Sequence, residues 1–220
     1  MEAEYSLNTA QNIYRAVLDG IKRESTAVLT PETFNRLINQ SAIYEWLKSK
    51  SIGVDFNQHH VDALRNLIRR SKDLPLTTNG KIGIPFNYYR LLSVEFSLLE
   101  NNHIVWKSAK RLKSDNVSVA TSNPYRKPTD DRIYYFQEGD FIVPYENTNV
   151  KGARLFYIAL PDPIVYNHMN DAGSSHGELL PEQNKELVDI CVRIYLERVK
   201  EERYQTILAE ENLKENKFIH

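Results

Sequence analysis

The sequence predicts an α+β fold: N-terminal helices, a central antiparallel β-sheet or small sandwich, and a long C-terminal helix packed against the helical part. Two observations carry this. Apolar residues recur at three- and four-residue spacing early in the chain, alternate at period two through the middle, and return to helical spacing after Pro181. These blocks are segregated rather than interleaved, which argues against a parallel βαβ arrangement.

The first helix is expected from about Thr9 to Arg23, with Ala10, Ile13, Tyr14, Val17, Leu18 and Ile21 on one stripe. Ser25 and Thr26 lie in a linker. Thr30 then serves as N-cap and Pro31 as first residue of a second helix reaching about Lys50, with Gly53 as a stop. At about 100° per residue its apolar positions split: Phe34, Leu37, Ile38 and Tyr44 on one side, Ile43, Trp46 and Leu47 on the other. Two apolar faces need two covers, either layers of the same fold or a second chain. A third helix, about Asn57 to Lys72, carries Val61, Leu64, Leu67 and Ile68 inward and Arg65, Arg69 and Lys72 on another face. Thr77–Gly80 supplies a turn, and Ile84–Arg90 an extended lead-in with a short helical turn.

Leu92–Leu98 alternates as a half-buried strand, followed by a turn at Glu100–His103 and a strand at Ile104–Ala109. Arg132–Phe136 and Phe141–Val143 make a hairpin with Gly139 in its loop, and Val150–Leu160 another strand. Ser122–Thr129 is too proline-rich for regular structure, and Asn167–Gly177 is a polar loop. The closing helix runs from Pro181 to about residue 209. The expected parts are therefore 1–75 helical, 76–180 β-rich, 181–209 helical and 210–220 a tail, forming one structural unit.

Composition bounds the function. Lys and Arg total 28 against 29 Asp and Glu, a formal net charge of −1, which excludes a chain built as a polycation or an acidic tail. Mean hydropathy is −0.51, and no run approaches the roughly 18 apolar residues of a membrane span, so no membrane partner is expected. The N-terminus has no signal-peptide pattern. One cysteine, Cys191, excludes an internal disulfide framework and any Cys-based zinc cluster, and suits a reducing compartment. Thirteen Tyr and nineteen Asn suit large, wet contact surfaces, because a tyrosine buries its ring while its hydroxyl bonds across.

No strong catalytic signature is present: no phosphate-cradling glycine loop, dinucleotide fingerprint, nucleophile elbow or zincin pair. No enzyme activity, cofactor or metal is expected. His59 and His60 with Asp62 diverge by about 100° on a helix and share one ion poorly. Asp171, Ser174, Ser175, His176 and Glu178 contain the groups of a hydrolase, but they are also what an exposed loop is made of. Cys191 lies in an apolar stripe and reads as inert. Arg65, Arg69, Arg70 and Lys72, with Lys107, Lys110, Arg111 and Lys113, form two positive runs. They could hold DNA phosphates without reading sequence, or pair with acidic partners. As subunit interface, Ile43, Trp46 and Leu47 are one candidate patch and Tyr195 with Tyr204 another.

Several segments together carry a resemblance. Ile13–Val17 followed by Thr30-Pro31-Glu32-Thr33-Phe34-Asn35 through Gln40-Ser41-Ala42 resembles the opening of head-to-tail connector, or neck, proteins of tailed bacteriophages, especially crAss-like phages. Ile84–Arg90 resembles their approach to the first strand, Asn123–Pro128 with Arg132–Tyr135 the segment before their hairpin, Phe156–Ile164 their last strand and exit, and Pro181–Val199 their closing helix. The resemblance implies a structural virion protein, assembled in the host bacterial cytoplasm and located in the neck or tail. It implies a homo-oligomeric ring, often of about twelve subunits, below the portal. Its partners would be itself, the portal and other neck or tail proteins, with genomic DNA passing through without sequence-specific binding. Within the same class, a tail tube or tail-fibre-adaptor (tail tubular) protein is the alternative, and a DNA-binding module lies outside it. Loops 114–129 and 167–179 are candidates for ordering on neighbours.

Overall fold

Where helical spacing gives way to alternation, the chain passes from one compact unit into another. The structure, a computed structural model, describes residues 9–24, 28–52, 58–100, 103–112, 128–129, 131–145, 149–169 and 174–217, with backbone alone for 24, 58–60, 176, 203–205 and 207–217. The fold is α+β, as expected. One unit comprises residues 1–66 with 161–220, the other residues 67–160. The boundaries fall at Asn66/Leu67 and Leu160/Pro161 rather than after 75 and 180. The residues after Leu67 already belong to the sheet, and those after Pro161 rejoin the helices.

In the first unit, α1 (Ala10–Glu24) starts where the Thr9 hydroxyl accepts the Asn12 N–H at 3.2 Å. Ile13, Val17 and Ile21 are fully buried along its stripe. α2 (Pro31–Leu37) begins as the sequence predicts: Thr30 is extended, its hydroxyl accepts the Thr33 N–H, and Pro31 needs no donor. A π-helical turn, Ile38–Ala42, then joins α2 to α3 (Ile43–Ser51), with the Ile43 N–H donating to the Ile38 carbonyl five residues back. This turn resolves the two apolar faces. A π turn inserts one residue into the helical register, so everything after it rotates back by about 100°. Counted with that insertion, Phe34, Leu37, Ile38, Ala42, Ile43, Trp46 and Leu47 fall on one continuous stripe, and all seven are buried.

α4 (Gln58–Leu64) ends in a turn in which the Arg65 N–H donates to the Asp62 carbonyl at 3.3 Å. The helix expected to reach Lys72 stops here. Ile68–Arg70 instead forms a strand, because the β-branched Ile68 finds a ladder partner in Ile158. The closing helix, α5 (Pro181–Lys217), runs past residue 209 to Lys217. α1, the π turn and α3 all pack against α5.

The second unit is one sheet: β1 (Ile68–Arg70), β2 (Leu74–Pro75), β3 (Ile82–Gly83), β4 (Tyr88–Glu100), β5 (His103–Arg111), β6 (Ile133–Glu138), β7 (Phe141–Tyr145) and β8 (Val150–Ala159). Its order is β1-β8-β4-β5-β6-β7-β3, with β2 also on β8. Every pairing is antiparallel except β5 with β6. Tyr88–Arg90, expected to include a helical turn, is the start of β4. The sheet curls. β2 lies at one edge and β3 at the other, yet the turn between them brings the Thr77 N–H to the Lys81 carbonyl at 2.7 Å. Three register shifts between β4 and β8 supply local bending. Inside the curl lie Ile82, Val94, Phe96, Leu98, Ala109, Ile133, Tyr135, Ile142, Leu155 and Tyr157. Gly139 turns the β6–β7 hairpin at φ 57°. Gly152 lets β2 approach β8, since a Cβ there would stand 2.7 Å from the Leu74 carbonyl oxygen.

Candidate subunit interface and basic face

The first expected interface patch is core. Ile43, Trp46 and Leu47 are at most 3% exposed within the single chain, because the π turn swings them onto the buried stripe. The Trp46 indole N–H donates to Glu186 Oε2 at 2.7 Å, and the same carboxylate takes Lys50 Nζ at 2.8 Å. Of the second patch, Tyr195 is half-buried and its hydroxyl donates to the Val28 carbonyl at 3.0 Å, while burial pushes its phenol pKa upward. The side chain of Tyr204 lies outside the described residues.

The basic residues divide into tied and exposed. Lys107 Nζ stands 2.8 Å from Asp131 and 2.6 Å from Glu100, and these hydrogen bonds hold its pKa above the ordinary lysine value and that of Asp131 below its usual range. Arg70 lies over the Phe156 ring at 5.1 Å and pairs with Glu95 at 3.6 Å. Arg69 is half-buried in β1, so Arg65, Arg69 and Lys72 do not share a helical face. Arg65, Lys110 and Arg111 are exposed. Lys113 lies outside the described residues.

Of the polar loop, the Ser174 hydroxyl accepts the Asn167 N–H at 3.0 Å and the Ser175 hydroxyl donates to the Pro163 carbonyl at 2.6 Å. Both tie down a small hairpin of β9 (Ile164–Val165) and β10 (Ser175–His176). Glu178 is exposed; Asp171 and the His176, His59 and His60 side chains lie outside the described residues. Cys191 is fully buried, and desolvation pushes its thiol pKa up to about 12.

Sequence reasoning missed how the asparagines are used. Asn35 and Asn39 stand four apart on α2 and the π turn and treat β9 as a neighbouring strand would. Asn35 donates to the Tyr166 carbonyl at 3.0 Å and accepts its N–H at 2.9 Å. Asn39 does the same for Ile164, at 2.7 and 2.9 Å. Tyr166 is then stacked on Tyr14, ring centroids 4.6 Å apart. Asn66 and Gln183 exchange amide hydrogen bonds at 3.1 and 2.9 Å, and Gln183 also accepts the Leu180 N–H that opens α5. The i, i+4 spacing of Asn35 and Asn39 was the one available signal.

On the sheet, Arg154 lies 3.7 Å from the Trp106 ring centroid while its guanidinium bonds Asp73. The β4–β5 hairpin ends in an exposed apolar pair, Leu99 directly opposite Ile104, and Phe86 is 99% exposed in the turn before β4. Charge is segregated. The 67–160 unit holds 14 Lys and Arg against 9 Asp and Glu, and the other unit 14 against 20. The net charge of −1 is the sum of a unit at +5 and a unit at −6.

Among the described residues, no helix is long and apolar enough to cross a membrane. The fold and its surfaces define an α+β chain with two oppositely charged units and exposed apolar residues on its sheet. No protein-family model matches the chain, and neither does any curated protein.

Proposed function

We propose that this chain is a non-enzymatic structural subunit of a phage head-to-tail connector or neck ring, forming part of a conduit for genomic DNA. The supporting observation is positional. Thr30-Pro31 is the N-cap and first turn of α2, Ile84–Tyr89 leads into the longest strand, and Arg132–Tyr135 opens the β6–β7 hairpin. Phe156–Ala159 ends the last strand of the sheet, and Pro181 starts the closing helix. Thr30-Pro31 and Pro181 thus open helices as the resemblance expects, whereas Ile84–Tyr89 leads into the fourth strand rather than the first, and Asn123–Lys127 lies outside the described residues. A ring contact needs two different complementary patches on each protomer. The exposed Leu99, Ile104 and Phe86 on the sheet unit replace the buried Trp46 group as apolar candidates for one of them.

Electron microscopy of the purified chain tests this reading. Closed rings with a central opening are the expected result. Particles that stay monomeric at every concentration, or a preparation that turns over a substrate, contradict it. A second reading, a DNA-binding module, is favoured by the +5 charge of the sheet unit and the exposed Lys110 and Arg111. It requires a salt-dependent shift of duplex DNA near physiological ionic strength.

A further inference from the structure

We infer that copies of this chain meet head to tail through opposite charge, the basic outer face of β5 and β6 on one copy against the acidic start of α5 on the next. The inference rests on the ring reading above and adds the faces and the force. Ala109 and Ile133 face the interior of the sheet at one register position, so alternation places Lys110 of β5 and Arg132, the residue before β6, on the outer face, where they flank the buried Leu112 and Tyr134. Both basic residues are exposed. On the other unit the excess acid is concentrated: residues 161–192 contain six Asp and Glu and a single base, Lys185. Glu182 and Asp189, two turns apart on α5, share a helical face and are exposed; Lys185 and Arg193 lie beside them, and Arg193 is held by Glu45. Glu186 between them is taken by Lys50 and Trp46.

A closed heterologous ring uses two unlike patches per protomer, and this chain carries one of each sign. A second copy satisfies both. Duplex DNA would be attracted by the +5 unit and repelled by the −6 unit, whereas another copy presents −6 to +5 and +5 to −6. The near-cancellation within one chain leaves each added copy only one net negative charge. Exposed pairs of this kind are screened once the Debye length falls to a few ångströms, so the association is salt-sensitive.

The test is sedimentation of the full chain at about 50 mM and about 1 M salt, with two charge-reversed variants, Lys110→Glu/Arg132→Glu and Glu182→Lys/Asp189→Lys. All four residues are exposed, and circular dichroism confirms that each variant is folded. Wild type is expected to assemble at low salt and dissociate at high salt. Each variant alone is expected to lose the assembled species, and an equimolar mixture to regain it, because every reversed face then meets its complement. Wild-type assembly that ignores both salt and reversal overturns the charge pairing and leaves the ring reading standing. A mixture that fails to recover also overturns the pairing. Wild type that stays monomeric at low salt overturns both. A low-salt shift of duplex DNA, lost in Lys110→Glu/Arg132→Glu without any self-association, replaces the second copy with a polyanion.

Discussion

Trp46 concentrates what the structure adds to the sequence at the scale of one residue. It is 1% exposed, and its indole N–H is held by Glu186. Trp46→Ala is therefore expected to destabilise the isolated monomer by about 3–5 kcal/mol, since it opens a large cavity in the core. Chemical denaturation measures this; a variant with wild-type stability and impaired assembly would return Trp46 to the interface. Cys191 makes a second prediction. Burial raises its thiol to about 12, well above the ordinary cysteine range, so above about pH 9 the unfolded chain releases a proton that the folded chain keeps. Its contribution to stability is complete below that pH and declines as pH rises toward 12. Wild type should lose stability over that interval more steeply than Cys191→Ala, and a thiol reagent at pH 8 should modify only the unfolded protein. The burial of Cys191 was legible from its apolar stripe. The roles of Asn35 and Asn39 were not: their i, i+4 spacing was the one local signal, and their partners lie 131 and 125 residues away.

At the scale of elements, what was legible followed from local chemistry. Thr30-Pro31 opens a helix wherever it can, and the alternation of Val94, Phe96 and Leu98 places them inside the sheet. What was hidden depended on register and distant pairing. A period of 3.6 cannot reveal a π turn, so one buried stripe read as two faces and gave a false interface. The helical spacing of Arg65, Arg69 and Lys72 was overridden by a ladder to β8. The parallel pairing of β5 with β6 spans a long connection that no periodicity encodes. The π turn yields its own test. Deleting the exposed Gln40 should convert the turn to α-helix and leave the stripe facing inward, so the protein should fold with stability within about 2 kcal/mol of wild type. Deleting Lys48 instead rotates the rest of α3 by about 100° and should disrupt packing around it. Equal damage from both deletions would show that the π turn does not set the register. The contrast is readable from thermal melts.

For the whole molecule, the near-neutral total charge conceals two units of opposite sign. A total cannot show segregation until the unit boundaries are known, and two of the 67–160 unit's strands lay in what read as a helical region. Under the proposed ring role, a strongly basic lining would hold DNA phosphates, whereas basic groups engaged by a neighbour would leave a passage open. The most direct measurement is electron microscopy of intact virions carrying gold-labelled antibody to the chain. Label confined to the collar between head and tail is the result this account requires. Label on the capsid faces or tail fibres, or particles that carry none, would contradict it.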